Sequence, residues 1–371
     1  MDRHRASSKT AVALLQTGSP ASQHERQIHL HLADCIGELL GLPSAGIRYG
    51  SLAAAELYLI PDTTLIAPQP GVRGDADLYG GVVSQPFMAT KAISHPLIDT
   101  HAVAPAGWSE AFMNLAGDAV LPGYSAFAVD DALRAGQKLL TNGAIRGKRV
   151  QARAGRGQQV IHDLQQLHRW LDSLECEEIH TDGVVLEQNL DEVRTYSVGQ
   201  VRIGPHLASY FGQQQLTLAN DGICVYGGSD LHVVRGDYQC LLQQLDSPLA
   251  QSAVSKAQAY EHAAEASFPG FIASRRNCDV ATGLLPSGQP CIGVLEQSWR
   301  IGGASSAEIH ALLAFADDPT LQRIRASSWE HHGNAPRMPD GGITLYQGDD
   351  PETGPITKGV TLKPWLPPAN P

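Results

Sequence analysis

Residues 293–309, GVLEQSWRIGGASSAEI, place a carboxylate, a hydroxyl and a guanidinium at alternate positions of an otherwise apolar run. Because side chains alternate across a strand, Glu296, Ser298 and Arg300 are predicted to share one face. A buried face would carry Val or Ile at these positions, so the pattern indicates a strand that faces a charged ligand. Arg300 would present a planar fork of donors, which matches the oxygens of a phosphate group.

A second strand candidate, SRRNCDVATG, precedes this segment and is joined to it by the turn-rich connector LLPSGQP. If the turn is centred on Ser287 and Gly288, Asp279 lies directly opposite Glu296. Two opposed carboxylates raise each other's pKa unless a cation lies between them. Hard oxygen ligands suit Mg²⁺, which usually takes one or two carboxylates together with substrate phosphates. A hairpin with ordinary surface charges has the same spacing, so both interpretations stay open.

Residues 147–160, GKRVQARAGRGQQV, combine Lys148 with a glycine-rich loop that carries further cations. Gly155 and Gly157 would let backbone N–H groups approach a phosphate, while Lys148 and Arg156 neutralise its charge. No G-K-[ST] closes a Walker A motif, and the third glycine of a dinucleotide-binding fingerprint is missing. A basic surface hairpin is the alternative interpretation of this stretch.

The segment GVVLEQNL is predicted to be a strand that ends in Glu187 and is followed by a polar turn. Such an arrangement presents a carboxylate and free backbone groups, which suit an adenine or a ribose. An edge strand with an exposed glutamate is the alternative.

Helical and strand-like patterns around these motifs predict an α/β (α+β) protein. A helix over residues 24–40 stops at Gly41, and Ser305 with Glu308 forms a capping box for a helix after the two glycines. We expect an N-terminal α/β domain over 1–120, a phosphate-loop subdomain over 121–185 and a metal and nucleotide subdomain over 186–330. Residues 331–371, rich in Pro, Gly and Asp, are predicted to be an irregular tail.

Composition excludes several function classes. The net charge of −11 lacks the basic excess of a nucleic-acid-binding protein. No apolar stretch approaches the roughly 18 residues of a membrane span. The six cysteines show no C-x-x-C, and neither they nor the histidines show zinc-site spacing, which favours free thiols in a reducing compartment. The N-terminus lacks the long apolar run of a signal peptide, so we expect a cytoplasmic protein.

The order of the motifs resembles the ATP-grasp superfamily over roughly residues 85–315. A lysine and a glycine-rich loop come first, a strand ending in Glu follows, and a hairpin of the form D…E-x-[NS]-x-R comes last. Four stretches look more specifically like a bacterial family labelled domain of unknown function 3182: PGYSAFAVDDA, LEQNLDEVRTYSVGQVRIG, YGGSDLHVVRGD and LEQSWRIGGAS.

The resemblance implies an ATP-grasp-like fold of two α+β subdomains, preceded by an α/β domain, with ATP held between the subdomains. It also implies a role for each candidate residue: Lys148 on the α- and β-phosphates, Gly155, Arg156 and Gly157 over them, Glu187 at the adenine hinge, Glu192 near the ribose, Asp279 and Glu296 on Mg²⁺, and Arg300 on the transferred phosphoryl group. Ser298 occupies the position of the usual metal-site Asn, and Thr195 competes with Glu192 for the ribose position.

The resemblance further implies an ATP- and Mg²⁺-dependent ligase of the carboxylate–amine type. Such an enzyme makes an acyl phosphate from a carboxylate, and an amine then displaces phosphate. The expected partners are therefore a small-molecule carboxylate and an amine, and the resemblance allows a homodimer. Two alternatives stay open: a degenerate relative that binds nucleotide without turnover, which Ser298 favours, and a kinase on the same fold.

Overall fold

The first layer of the molecule is a small parallel sheet covered by one long helix. The structure, a computed structural model, describes residues 9–18, 21–50, 55–152, 157–334 and 338–365. Strands β1 (Ala11–Gln16), β2 (Ser44–Tyr49) and β3 (Leu57–Pro61) pair in parallel in the order β2-β1-β3. Helix α1 (Gln23–Leu40) supplies a crossover that parallel pairing requires. It ends at Gly41, whose φ of +66° is left-handed, so the predicted helix stop is confirmed.

A second small sheet links this layer to later parts of the chain. It contains β4 (Leu65–Ile66), β5 (Gly81–Val83) and β13 (Ile272–Ala273). One 3-10 helix, Asp75–Asp77, precedes β5. The segment after β5 contains α2 (Glu110–Ala116) and three further 3-10 helices: Pro86–Ala89, Lys91–Ser94 and Gly117–Ala119. Because β13 pairs with β5, a segment from the second half of the chain is hydrogen-bonded directly to the first.

The phosphate-loop region folds as a four-stranded antiparallel sheet with helices packed on it. The strands are β6 (Gly123–Ala126), β7 (Ile145–Arg149), β8 (Gln158–Ile161) and β9 (Val184–Gln188), in the order β6-β9-β7-β8. The helices are α3 (Val129–Leu140), α4 (Leu164–Asp172) and α5 (Cys176–Thr181). Leu139, Leu167 and Trp170 from these helices bury Ile145 and Leu186 of the sheet.

An eight-stranded antiparallel sheet forms the largest part of the molecule. Its strands are β10 (Asp191–Ile203), β11 (His206–Leu218), β12 (Cys224–Arg235), β14 (Arg275–Leu284), β15 (Pro290–Gln297), β16 (Arg323–His332), β17 (Gly342–Asp350) and β18 (Gly354–Pro364). The spatial order is β15-β14-β10-β11-β12-β16-β18-β17. Three helices accompany it: α6 (Tyr238–Leu242), α7 (Pro248–Ser267) and α8 (Ser305–Asp317).

The two faces of the large sheet are buried by different helices. Cys278 and Val280 belong to the core formed with the alanines of α7. Tyr210 and Leu231 belong to the core that contains apolar residues of α1 and α8. Because side chains alternate along β14, Asp279 points to the second face, the one covered by α8.

The prediction of an irregular tail over 331–371 is wrong for most of its length. Strands β17 and β18 occupy this region, and β18 lies between β16 and β17 in the large sheet. The turn-forming residues that suggested irregularity are concentrated at two places, in residues 333–341 before β17 and between Asp350 and Gly354, where the two strands connect. Tyr346, Ile356 and Val360 are buried and hold the two strands to the core.

The last hairpin also contacts the start of the first helix. Oδ2 of Asp350 accepts hydrogen bonds from the backbone N–H of His24 at 3.0 Å and lies 3.1 Å from Nδ1 of that histidine. The N-terminal turn of α1 is thereby held by a carboxylate, which suits the positive end of a helix. No helix in the described ranges is long and apolar enough to cross a membrane.

Candidate functional site

Asp279 of β14 and Glu296 of β15 lie directly opposite each other, as the sequence predicts. The hairpin reaches this pairing through a register shift. Val280 pairs with Val294, so a regular ladder would have put Asp279 opposite Leu295. A β-bulge between the two pairs shifts the register by one residue and brings the carboxylates together. The predicted pairing is therefore confirmed, although the bulge was not visible in the sequence.

The surroundings of Asp279 favour its neutral form. Burial, followed by the negative charge of Glu296, raises the pKa of Asp279 to about 7. Hydrogen bonds to its Oδ1 from Gln214 at 2.8 Å and Asn277 at 3.2 Å only partly oppose that rise. A cation placed between the two carboxylates would favour the ionised form of Asp279, which its present surroundings disfavour.

Lys91 is a site residue that the sequence analysis missed. Its ammonium group lies 3.0 Å from Oε2 of Glu296 and donates a hydrogen bond of 2.8 Å to the carbonyl of Ala152. Ala152 follows β7 at the start of the glycine-rich loop, so Lys91 connects that loop with the carboxylate pair. The available signal was a single cation between Thr90 and Ala92 in a segment otherwise free of charge, which alone is too weak to indicate a ligand.

Lys148, Glu187 and His95 form a buried polar triad. Lys148 of β7 and Glu187 of β9 make an ion pair, and Nε2 of His95 lies 3.2 Å from the second carboxylate oxygen. Burial alone would raise the pKa of Glu187, but the Lys148 ammonium and the His95 hydrogen bond outweigh it and lower the pKa to about 2. Strand β9 is central rather than at an edge, so the alternative of an exposed edge glutamate is wrong.

Only part of the predicted phosphate loop can be located. Gly157 has a φ of +65°, and a Cβ atom added there would lie 2.4 Å from the Cβ of Ala152, so the chain requires glycine at this point. Its carbonyl accepts a hydrogen bond from the backbone N–H of Arg149 at 2.9 Å. Gly155 and Arg156, the other predicted phosphate-covering residues, lie outside the described residues.

The strand predicted to run through Arg300 ends at Gln297. Beyond it, the guanidinium of Arg275 replaces a neighbouring strand: its Nη1 donates to the carbonyls of Ser298 at 3.0 Å and Arg300 at 2.6 Å. Ser298 and Arg300 nevertheless stay together. A Cβ atom added to Gly302 would lie 3.7 Å from Oγ of Ser298 and 3.8 Å from Nη1 of Arg300. An irregular segment instead of a strand thus carries Ser298 and Arg300 past Gly302, and the common face with Glu296 stays a prediction.

Glu308 does not form the predicted capping box. Helix α8 is capped by Ala304, without a side-chain hydrogen bond. The carboxylate of Glu308 is fully buried and accepts hydrogen bonds from Nε and Nη2 of Arg275 at 2.9 Å and 2.6 Å. The hydroxyls of Tyr79 and Tyr210 lie 2.6 Å and 2.7 Å from its two oxygens. A bidentate ion pair is a stronger use of the carboxylate than an exposed cap, and it fixes Arg275 in place.

Glu192 lies apart from these groups. It is exposed near the start of β10, at a register shift between Asp191 and Arg194, and its φ is +53°. The described contacts do not bring its side chain to Lys148, Glu187 or the carboxylate pair. Its predicted role at a ribose stays a prediction.

Solved structures share this architecture at low sequence identity. N5-carboxyaminoimidazole synthetase from Staphylococcus aureus, complexed with ADP, matches with a TM-score of 0.50 and 11% identity over 96% of this chain and 94% of its own. The corresponding synthase from Aspergillus clavatus matches with a TM-score of 0.50 and 11% identity over 96% of this chain and 95% of its own. The biotin carboxylase domain of Hydrogenobacter thermophilus 2-oxoglutarate carboxylase, in complex with MgADP, matches with a TM-score of 0.52 and 11% identity over 95% and 86%.

These likenesses establish the fold, and the predicted ATP-grasp architecture is confirmed. No curated protein matches the sequence. The family model described as "Protein of unknown function (DUF3182)" matches residues 12–360, nearly the whole chain. The chain therefore belongs to the DUF3182 family, the family that its motifs had suggested.

Proposed function

We propose that this protein is an ATP- and Mg²⁺-dependent ligase that joins a small-molecule carboxylate to an amine. The observation that carries the proposal is the meeting of two elements: the Asp279–Glu296 pair on the large sheet and Lys91, which also contacts the start of the glycine-rich loop. Carboxylates that hold a cation and lysines that neutralise phosphates are the two parts that phosphoryl transfer needs. Related folds carry ADP or MgADP, as the names of their solved structures state.

The donor set fits Mg²⁺. Lys91 pairs with Glu296 alone, Asp279 keeps a raised pKa beside it, and all the donor atoms of the two opposed carboxylates are hard oxygens. Asp279 and Glu296 would hold the ion, with the hydroxyl of Ser298 nearby. When bound there, Mg²⁺ would offset the charge of the ATP phosphates.

The lysines would act on the nucleotide in different ways. Lys148 is held by the Glu187 carboxylate, so its ammonium group has a fixed direction for contact with the α- and β-phosphates. Glu187 itself would act mainly by holding Lys148, because its two oxygens are occupied by Lys148 and His95. Lys91 would leave Glu296 for a phosphate oxygen when a metal ion takes over that carboxylate.

The substrate carboxylate would be activated beside Arg300. A carboxylate oxygen attacks the γ-phosphorus of ATP, ADP leaves, and the amine then attacks the acyl carbon while phosphate departs. A cleft between α1 and the first sheet, of about 20 Å³ and lined by Arg26, His29 and Ile301 among others, adjoins this segment and has room for about one water molecule. Burial, with a contribution from Arg300, lowers the pKa of His29 to about 4, so an uncharged imidazole stands beside guanidinium groups that suit a carboxylate.

A nucleotide-binding protein without turnover is the second candidate. It is favoured by Ser298, because a serine side chain is shorter than the usual Asn. The Oγ of Ser298 also accepts a hydrogen bond of 3.2 Å from Arg275. Both candidates require the same nucleotide site. Release of phosphate in the presence of carboxylates and amines separates them.

The proposal is tested by thermal unfolding with ATP or ADP, in Mg²⁺ or in EDTA. A ligand at one hundred times its dissociation constant adds about 2.7 kcal/mol of stability. We expect a rise in Tm that needs Mg²⁺, is lost in Asp279→Asn and persists in Asp317→Asn, a matched change at an exposed carboxylate. No shift with any nucleotide in the unaltered protein would contradict the proposed function and leave the fold unaffected.

A further inference from the structure

Two helices from opposite ends of the chain bring three metal-binding side chains together. His31 and Cys35 lie one turn apart on α1, and His310 lies on α8. Nε2 of His31 is 3.4 Å from Nε2 of His310 and 3.5 Å from Sγ of Cys35, and all three donor atoms lie within 4.8 Å of one another. The sequence analysis found no zinc-site spacing here, because His310 follows His31 by 279 residues.

The spacing of the donor atoms fits a tetrahedral zinc ion. Zinc binds imidazole nitrogen at about 2.0–2.1 Å and thiolate sulfur at about 2.3 Å. At tetrahedral angles these bonds place two nitrogens about 3.3–3.4 Å apart and nitrogen and sulfur about 3.6 Å apart. The two separations that involve His31, 3.4 Å and 3.5 Å, correspond to these values, and the third, between His310 and Cys35, is within 4.8 Å. Imidazole and thiolate donors also select such a metal over Mg²⁺, which prefers oxygen.

The protonation of His310 is set by the backbone. Its Nδ1 lies 2.7 Å from the carbonyl oxygen of Ser306, and a carbonyl can only accept, so Nδ1 carries the proton. The lone pair of Nε2 consequently faces His31 and Cys35. A metal-binding histidine usually donates a hydrogen bond from its other ring nitrogen, and this bond fixes the orientation of the ring. Burial lowers the pKa of His310, which keeps the ring uncharged and able to bind a metal.

We propose that His31, Cys35 and His310 bind a zinc-type divalent metal ion that fastens α1 to α8. Cys35 and His310 are buried, whereas His31 is only half-buried, so an ion can enter from the His31 side and keep a water molecule as its fourth ligand. The thiol of Cys35 would bind as thiolate: its S–H bond breaks, a sulfur–metal bond forms, and the proton passes to the buffer.

The proposed ion would stabilise the nucleotide site without touching it. His310 lies two residues after Glu308, which holds Arg275 and, through it, the carbonyls of Ser298 and Arg300. Helix α1 belongs to the first layer of the molecule, so a metal bridge to α8 would tie that layer to the phosphate side of the site. This role is independent of the reaction that the site performs.

The test uses the purified 371-residue protein, stripped of metal with a chelator and titrated with Co²⁺. We expect one equivalent of Co²⁺ to produce the thiolate-to-cobalt charge-transfer band and the visible bands of a tetrahedral ion, and one equivalent of Zn²⁺ to remove them. One proton per chain should be released on binding. Absence of the thiolate band at saturating Co²⁺ would overturn the proposal.

Matched variants assign the signal to these residues. Cys35→Ser should abolish the thiolate band, and His310→Gln should weaken Co²⁺ binding at least about tenfold. Cys240→Ser removes an exposed thiol elsewhere, and Asp279→Asn alters the nucleotide site; both should leave the band unchanged. If Cys35→Ser does not fold, His31→Gln at the half-buried position replaces it, with loss of high-affinity binding expected. A band that persists in Cys35→Ser, or normal affinity in His31→Gln, would overturn the assignment.

Discussion

At the scale of single residues, the charge of Asp279 is decided by its neighbours. Its pKa of about 7 means that the folded protein binds a proton more tightly than the unfolded chain, whose aspartate titrates near 3.8. Between these two values, each rise in pH therefore lowers the stability of the metal-free protein. This loss of stability is complete above pH 7 and absent below about pH 4.

Asp279→Asn removes this titration. In EDTA at pH 8 the variant should exceed the unaltered protein by up to about 4 kcal/mol in free energy of unfolding, because an unfavourable buried charge is gone. At pH 4 the two proteins should be nearly equal. Urea unfolding at both pH values measures the difference, with Asp317→Asn as the exposed control. Equal stabilities at pH 8 would show that Asp279 is not strained by its surroundings.

Lys91→Met tests the residue that the sequence did not reveal. A charge-assisted hydrogen bond to phosphate is worth about 1.5–3 kcal/mol, so the dissociation constant of MgATP should rise roughly ten- to one-hundred-fold. Isothermal titration calorimetry measures the change. Lys138→Met, at an exposed lysine of α3, should leave the affinity unaltered. An unchanged affinity in Lys91→Met would limit the role of Lys91 to its ion pair with Glu296.

At the scale of elements, the exit from β15 depends on one buried ion pair. Arg275 bonds the irregular segment Ser298–Arg300 with its Nη1, and Glu308 holds the other side of the same guanidinium. Both side chains are almost completely buried. The pair therefore connects the last strand before the glycines with the helix that follows them.

Glu308→Gln leaves the Arg275 charge buried without its partner. Breaking such a pair costs about 3–5 kcal/mol, so urea unfolding should show a loss of about 3 kcal/mol or more. The nucleotide-dependent rise in Tm should also shrink, because the segment that carries Ser298 and Arg300 loses its anchor. Glu352→Gln, at an exposed turn, is the matched control and should change neither quantity. A loss no larger than in the control would contradict the structural role of Glu308.

The elements also show what a sequence can predict. The stop at Gly41 was accessible because it follows from local geometry, whereas the Asp279–Glu296 pairing, although correctly predicted, is reached through a bulge that the sequence did not reveal. The role of Glu308 could not be predicted from the sequence, because a glutamate at this position is compatible both with a capping box and with a buried ion pair. Lys91 and His95 lie in short 3-10 turns or beside them, where no periodic pattern exists. They reach the site only because tertiary packing folds that segment against two sheets.

At the scale of the whole molecule, the last two strands are part of the core of the large sheet. β18 lies between β16 and β17, and Val360 is completely buried, whereas Ile343 on β17 is 48% exposed. The composition of this region had suggested an irregular tail because its turn residues outweighed its few apolar ones. The alternation of those few apolar residues was the stronger indication of structure.

Val360→Ala and Ile343→Ala separate the two positions. Deletion of buried methyl groups leaves a cavity, so Val360→Ala should lower the free energy of unfolding by about 2 kcal/mol. Ile343→Ala removes an exposed side chain and should cost no more than about 0.5 kcal/mol. Equal effects in thermal or urea unfolding would mean that β18 contributes little to the common core.

The contact between Asp350 and His24 has a consequence for the order in which the protein is made. The two residues are 326 positions apart, so a ribosome that has produced the whole first layer has not yet supplied the carboxylate that holds the start of α1. His310, which meets the same helix, is also made late. Helix α1 is therefore completed by residues made 279 or more positions later, and the nascent chain has to keep α1 available until those residues have emerged.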